Sequence, residues 1–164
     1  MIYPAILYKE RIDKAFTLTR TKHYRYFYSE GYFSAPKIKD DEWNVIQRVS
    51  VDSRDNVLGF MSCRINRPIN NGYSIQLINF GNQDIVFSRD IMRFFTSLFR
   101  DYGLRKINFS VIIGNPAEDM YDNAVFMFGG RIIGFSKEEA MLPNGEICDE
   151  KNYEIMRSDV VHKL

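Results

Sequence analysis

The chain has 164 residues, 45% hydrophobic and 26% charged, with 22 basic against 21 acidic side chains and a formal net charge of +1. That length suits one domain, and that mix suits a packed globular core, which excludes disordered and low-complexity classes. The near balance of charge supplies no global field toward nucleic acid or an anionic membrane, so neither is expected as a partner.

Cys63 and Cys148 are too few for a disulfide scaffold, and His23 and His162 lie too far apart for a zinc site. No apolar stretch approaches the ~20 residues of a membrane span. Met1 to Ala5 lacks the basic start and apolar run of a signal peptide. The expectation is a cytoplasmic protein with reduced thiols. Aromatic residues make up 15%, with 13 Phe and 10 Tyr, which suits a filled core with some rings left outside. That excess is compatible with a homodimer, but the oligomeric state stays open.

Residues 1–44 read as irregular, apart from a short helix over Ile12 to Thr21. Lys22 to Tyr28 interleaves cations and rings. It reads as an edge strand or loop packed on the core, as a wall of an acceptor site, or as a surface for bases and phosphates. If it is an acceptor wall, Glu30, Asp40, Asp41, Glu42 or His23 could supply a base or a charge for an amine. Gly31 and Pro36 mark the following stretch as loop.

From Val45 the pattern sharpens. Val45 to Val51 is a β-branched strand, Asp52 to Asn56 is turn chemistry, and Val57 to Ile65 is the returning strand. Pro68 to Gly72 reads as a second turn, on the strength of Asn71-Gly72, and Tyr73 to Phe80 as a third strand. Ile91, Phe94, Phe95, Leu98 and Phe99 then recur at helical spacing, with Ser88 expected as N-cap and Tyr102-Gly103 as the end. Lys106 to Ile113 alternates as a strand. Asn115-Pro116 opens a second helix, with Pro expected at its first position and Met120, Tyr121, Ala124, Val125 and Phe128 on one face, closed by Gly129-Gly130. Ile132 to Phe135 and Tyr153 to Met156 read as the last strands, with a turn at Pro143 to Gly145. The expected fold class is α+β: a mixed central sheet, an antiparallel meander then β-α-β-α-β-β, with helices on both faces. Its natural crevice lies where the third strand ends and the Ser88 helix begins, beside the strand at 107–113.

This order resembles the GNAT superfamily of N-acetyltransferases over about Val45 to Met156. The local match is carried by Asp101-Tyr102-Gly103-Leu104-Arg105-Lys106-Ile107, Asn115 to Tyr121, and Phe128-Gly129-Gly130-Arg131-Ile132-Ile133-Gly134. The Phe-Gly-Gly turn departs from the family's Leu-Gly-Phe form. So does Gln83-Asp84-Ile85-Val86-Phe87-Ser88, which stands where the family has Gln/Arg-x-x-Gly-x-Gly/Ala. The resemblance implies a single domain over 1–164, with 1–44 on the acceptor side and the core at 45–156. It implies transfer of acetyl from acetyl-CoA (coenzyme A) to a small-molecule or peptide amine, by direct attack in a ternary complex.

Such chemistry asks for a neutral amine placed beside the thioester, donors for an oxyanion, and a proton for the departing sulfur. The resemblance puts the strand end Ile78, Asn79 and Phe80, the loop residues Gln83, Val86, Phe87, Ser88 and Arg89, and Asn115 on the cofactor. Val86 and Ser88 occupy positions where the family has small residues, but backbone N–H donors require no particular side chain. The resemblance points to Tyr121 as the acid, since it follows Asn115 at close to the family's spacing, whereas counting back from Gly129 or Gly130 falls on Val125 or Phe126, which hold no transferable proton. Tyr121 can equally be a helix residue with a buried ring and a wet hydroxyl. The rival reading is a non-catalytic interaction protein on the same scaffold, its cofactor site decayed. The acceptor itself is not legible.

Overall fold

A computed structural model describes residues 1–20, 35–81 and 85–160. Strand β1 (Ile2–Pro4) leads through a 3-10 turn into α1 (Lys9–Arg20). There follow β2 (Val45–Val51), β3 (Val57–Asn66), β4 (Asn71–Asn79), α2 (Ile85–Arg100), β5 (Lys106–Ile112), α3 (Glu118–Met127), β6 (Arg131–Met141), β7 (Ile147–Met156) and a final turn, α4 (Arg157–Val160). The seven strands form one sheet in the order β1-β2-β3-β4-β5-β7-β6. Neighbours run antiparallel except β4 and β5, which are parallel. The α+β class and the element order expected from Val45 onward are those observed. No described helix is long and apolar enough to cross a membrane.

The main core lies between the sheet and helices α2 and α3. Phe94, Phe95, Leu98 and Phe99 of α2 and Ala124 and Val125 of α3 meet Met61 and Cys63 of β3 and Ile107, Phe109 and Val111 of β5. Phe109 joins the two helices, its ring beside those of Phe95, Tyr121 and Tyr153. Helix α1 covers the other face with Ile12 against Val49, Val51 and Phe60, and Ile78 and Phe80 pack at the margin of that cluster.

Several boundaries depart from the sequence reading. Ser88 is not a cap: α2 begins at Ile85, and Phe87 extends the buried stripe of Ile91, Phe94 and Phe95 back by one turn. Pro116 is not in the first helical position. The Asn115 side chain accepts the Ala117 N–H at 2.9 Å in a local turn, and α3 starts at Glu118. Asn71-Gly72 is strand rather than turn, because Asn70 makes the reversal at φ 50°. A Cβ on Gly72 would come within 2.7 Å of Cys63 Sγ and 2.9 Å of Ile107, so this glycine is there for close packing. β6 and β7 are longer than expected, since a bulge between Ser136 and Ala140 breaks the alternation. The Phe128-Gly129-Gly130 turn needs both glycines for different reasons: Gly129 has φ 72°, and a Cβ on Gly130 would lie 2.6 Å from the Glu154 carbonyl.

Candidate active site

β4 and β5 pair only at Asn71 with Lys106 and Gly72 with Ile107. Beyond that point they diverge, and the sheet opens as a fork. A bulge in β4 accompanies the divergence: the register with β3 shifts between Ser62 and Arg64, and Ser74 sits at φ 48°. An extra residue of this kind bends a strand and increases its twist, which carries β4 away from β5. On its other edge β5 stays paired with β7 from Lys106 through Ile112.

Ladder alternation shows which backbone groups face the fork. The Phe80 N–H donates to the Leu58 carbonyl at 2.9 Å, so Phe80 and, two residues back, Ile78 turn their main-chain groups toward β3. The main-chain groups of Ile78 and Phe80 thus belong to the β3 ladder. Leu77 and Asn79 are the residues whose main chain turns into the fork. On β5, the Ile113 N–H donates to Asp149 at 3.0 Å and the Arg105 carbonyl accepts from Arg157 at 2.9 Å. Odd-numbered residues therefore serve β7, and Asn108 and Ser110 turn theirs toward the fork.

Helix α2 starts just past the end of β4. Its first turn, Ile85 to Ser88, contains no acidic side chain, and amides at the start of a helix point out along its axis. Val86 is half-buried, the Phe87 ring is in the core, and Ser88 and Arg89 are exposed. A groove of about 500 Å³ runs between α2 and α3, lined among others by Ser88, Arg89, Met92, Met120 and Asn123. Phe87 can therefore contribute its backbone but not its ring, whereas Ser88 and Arg89 reach the groove directly. Gln83, like Lys22 to Tyr28, His23, Glu30 and His162, lies outside the described residues.

Tyr121 stands on α3 with its ring 5.6 Å from that of Phe109 and 6.3 Å from that of Tyr153. Burial pushes its phenol well above the usual tyrosine range, so it is fully protonated at neutral pH. No described side chain or backbone group hydrogen-bonds its hydroxyl, yet no buried polar atom is both sealed and unpartnered among the described residues. The hydroxyl therefore keeps an opening. Tyr153, by contrast, donates to Asp122 at 2.6 Å within a network that ties α3 to β7 through Lys151 and Glu118. Asn115 has its Oδ1 committed to Ala117. Cys63 is buried, its thiol pushed up to about 12 by burial, which makes it a core residue and no nucleophile.

The residues present fit a coenzyme A thioester. The fork offers backbone donors, the head of α2 offers amides and the cation of Arg89, and the groove offers an apolar wall for a slender chain. Sequence reasoning missed the α2–α3 groove as a whole, since it depends on how the two helices sit against the sheet.

No family model and no curated protein sequence matches this chain at a significant level. Solved structures do. A spermidine N-acetyltransferase from Vibrio cholerae, in complex with CoA and spermine, is similar with a TM-score of 0.69 at 20% identity, over 98% of this chain and 97% of that one. The spermidine/spermine N-acetyltransferase SpeG of that organism in complex with manganese ions gives 0.66 at 20% identity, over 91% of each chain. A chimera of the same enzyme with hSSAT gives 0.71 at 18% identity, over 94% of each chain. The likeness extends along nearly the whole chain, and the fold is GNAT-like.

Proposed function

We propose that this chain is an acetyl-CoA-dependent N-acetyltransferase, joining acetyl-CoA and an amine in one ternary complex. The observation that carries the reading is the parting of β4 and β5 at the head of α2. When bound, acetyl-CoA supplies the activated acetyl thioester. The first-turn amides of α2, with Arg89 beside them, hold its diphosphate, and Val86 and Ser88 take part through their backbone. The Leu77 N–H, with Asn79 turned the same way, faces the oxygen on which negative charge develops. Tyr121 gives its proton to the departing sulfur. The amide nitrogen of Asn115 meets the pantetheine arm.

The chain works as one domain, with 45–156 carrying the core and 1–44 on the acceptor side, where α1 lies. The similar solved enzymes are named for spermidine and spermine, which favours a small aliphatic amine as acceptor. β6 exposes Ile132, Ile133 and Phe135 at the sheet margin, which suits a homodimer, checked by light scattering. The test of the function is a panel of amines, from polyamines to peptide N-termini, incubated with acetyl-CoA while free thiol is measured. Thiol release that depends on an amine supports the reading. A panel that is silent throughout removes it.

A further inference from the structure

Two carboxylates lie four residues apart on the same face of β7, and the register from Lys106↔Met156 to Ile112↔Glu150 is unbroken between them. Glu154 is neutralised twice: Lys106 Nζ is 2.8 Å from its Oε2, and Arg131 holds its Oε1. Glu150 is 6% exposed, and among the described residues nothing donates a hydrogen bond to it or pairs with its charge. Strand rise puts Lys106 and Arg131, gathered at Glu154, about 13 Å from it. Nearby on this face Asn152 donates to Ser136 Oγ at 2.9 Å, and the small Ser110 lies across from Asn152. Its remaining neighbours on this face are apolar: Ile112, Ala140, Leu142 and Cys148.

A nearly enclosed carboxylate without a partner is costly to keep, and such groups concentrate at functional sites. Its position says which function. Ile112, at the open end of the fork, is its direct cross-strand partner, so Glu150 stands one strand, about 5 Å, from the edge of β5 that borders the fork. It faces the side of the sheet away from α2 and α3, the side on which Ile78 and Phe80 flank the other arm. Its oxygens are not sealed, since no buried polar atom among the described residues lacks both a partner and solvent.

We propose that Glu150 is the acceptor's counter-ion: its carboxylate binds the ammonium of a small aliphatic amine at the mouth of the fork and takes the proton that this amine must lose. The inference rests on the transferase reading and adds the acceptor's half of the site to it. The ammonium passes one proton to the Glu150 carboxylate and becomes a neutral amine. Its lone pair forms the C–N bond, the C–S bond breaks with its electrons on sulfur, and sulfur takes the Tyr121 proton. The nitrogen then loses its excess proton, which replaces the one Tyr121 gave, and the Glu150 carboxylic acid returns its own to water. Desolvation pushes the Glu150 carboxyl above its ordinary range, closer to an amine, which eases this transfer.

The test compares wild type with Glu150→Gln and Glu150→Asp, using 1,4-diaminobutane, which is cationic, and aniline, which is neutral at the assay pH. Glu150→Gln is expected to raise KM for the diamine by about tenfold or more. It should leave aniline turnover and the acetyl-CoA Kd within about twofold, and Glu150→Asp should recover much of the diamine KM. The thermal midpoint of Glu150→Gln should rise, because an unpartnered charge is gone; a merely structural carboxylate would lower it. An unchanged diamine KM in a variant that still binds acetyl-CoA overturns the assignment, as does an equal loss toward both amines. Failure of the wild type to bind acetyl-CoA instead overturns the transferase reading, and this inference with it.

Discussion

The two edges of β5 behave differently. Toward β7 the strand is paired from Lys106 through Ile112, and toward β4 it is paired only at Lys106 and Ile107. The same seven residues thus act as an interior strand on one side and as an edge strand on the other. An edge strand presents backbone groups that invite an extended partner. Here that edge opens inward, between two arms of one sheet, with the head of α2 at its end. The closed edge provides the rigidity, and the open edge leaves backbone groups for the proposed thioester.

Proline substitution should separate the two edges by the largest margin. Val111→Pro removes a ladder bond to β7 and should cost about 3 kcal/mol or more, whereas Ser110→Pro, whose N–H faces the fork, should cost about 1 kcal/mol in denaturant titrations. Equal losses at both positions would mean that the two edges are alike. Next comes the chemistry of the open side. Tyr121→Phe should lower kcat about 100-fold with little change in thermal midpoint, because its hydroxyl has no described partner to lose. Since burial raises that phenol, wild-type kcat should show no alkaline fall from its ionisation up to about pH 10. Arg89→Glu, at the groove, should weaken acetyl-CoA binding about tenfold by calorimetry while leaving the fold intact.

The smallest effect is one of pH, at the two carboxylates of β7. Lys106, then Arg131, hold the Glu154 carboxyl below its ordinary value, so its contribution is full at neutral pH and is lost as pH falls through the folded-state pKa. Glu150 is raised, so it penalises the fold at neutral pH, and that penalty fades as pH falls from its folded pKa toward the ordinary carboxylate value. Thermal midpoints from pH 7 to 3 should therefore show Glu154→Gln losing less stability on acidification than wild type, and Glu150→Gln losing more.

Much of the fold was legible because its signals are local. The helical spacing of Ile91, Phe94, Phe95, Leu98 and Phe99, the alternation in 106–113 and the Gly129-Gly130 stop each depend on neighbours in sequence. The start of α2 was displaced because Ile85 and Val86 are β-branched and Ser88 offered a cap, although Phe87 already continued the buried stripe. β1 was missed because three residues pairing with a strand as distant in sequence as Ile2 from Ser50 leave no local mark. The site was less legible for the same reason. The parting of the strands follows from two cross-strand pairs and a bulge at Ser74, a residue with no intrinsic preference for φ 48°. Glu150 looks like one more acid in a charged hairpin until Lys106 and Arg131 are seen gathered at Glu154.

Whether the open edge of β5 and the head of α2 bind a coenzyme A thioester is decided by titration calorimetry of the full chain with acetyl-CoA. Saturable one-to-one binding is expected, weakened in Arg89→Glu. No heat and no shift in thermal midpoint at millimolar acetyl-CoA would contradict it.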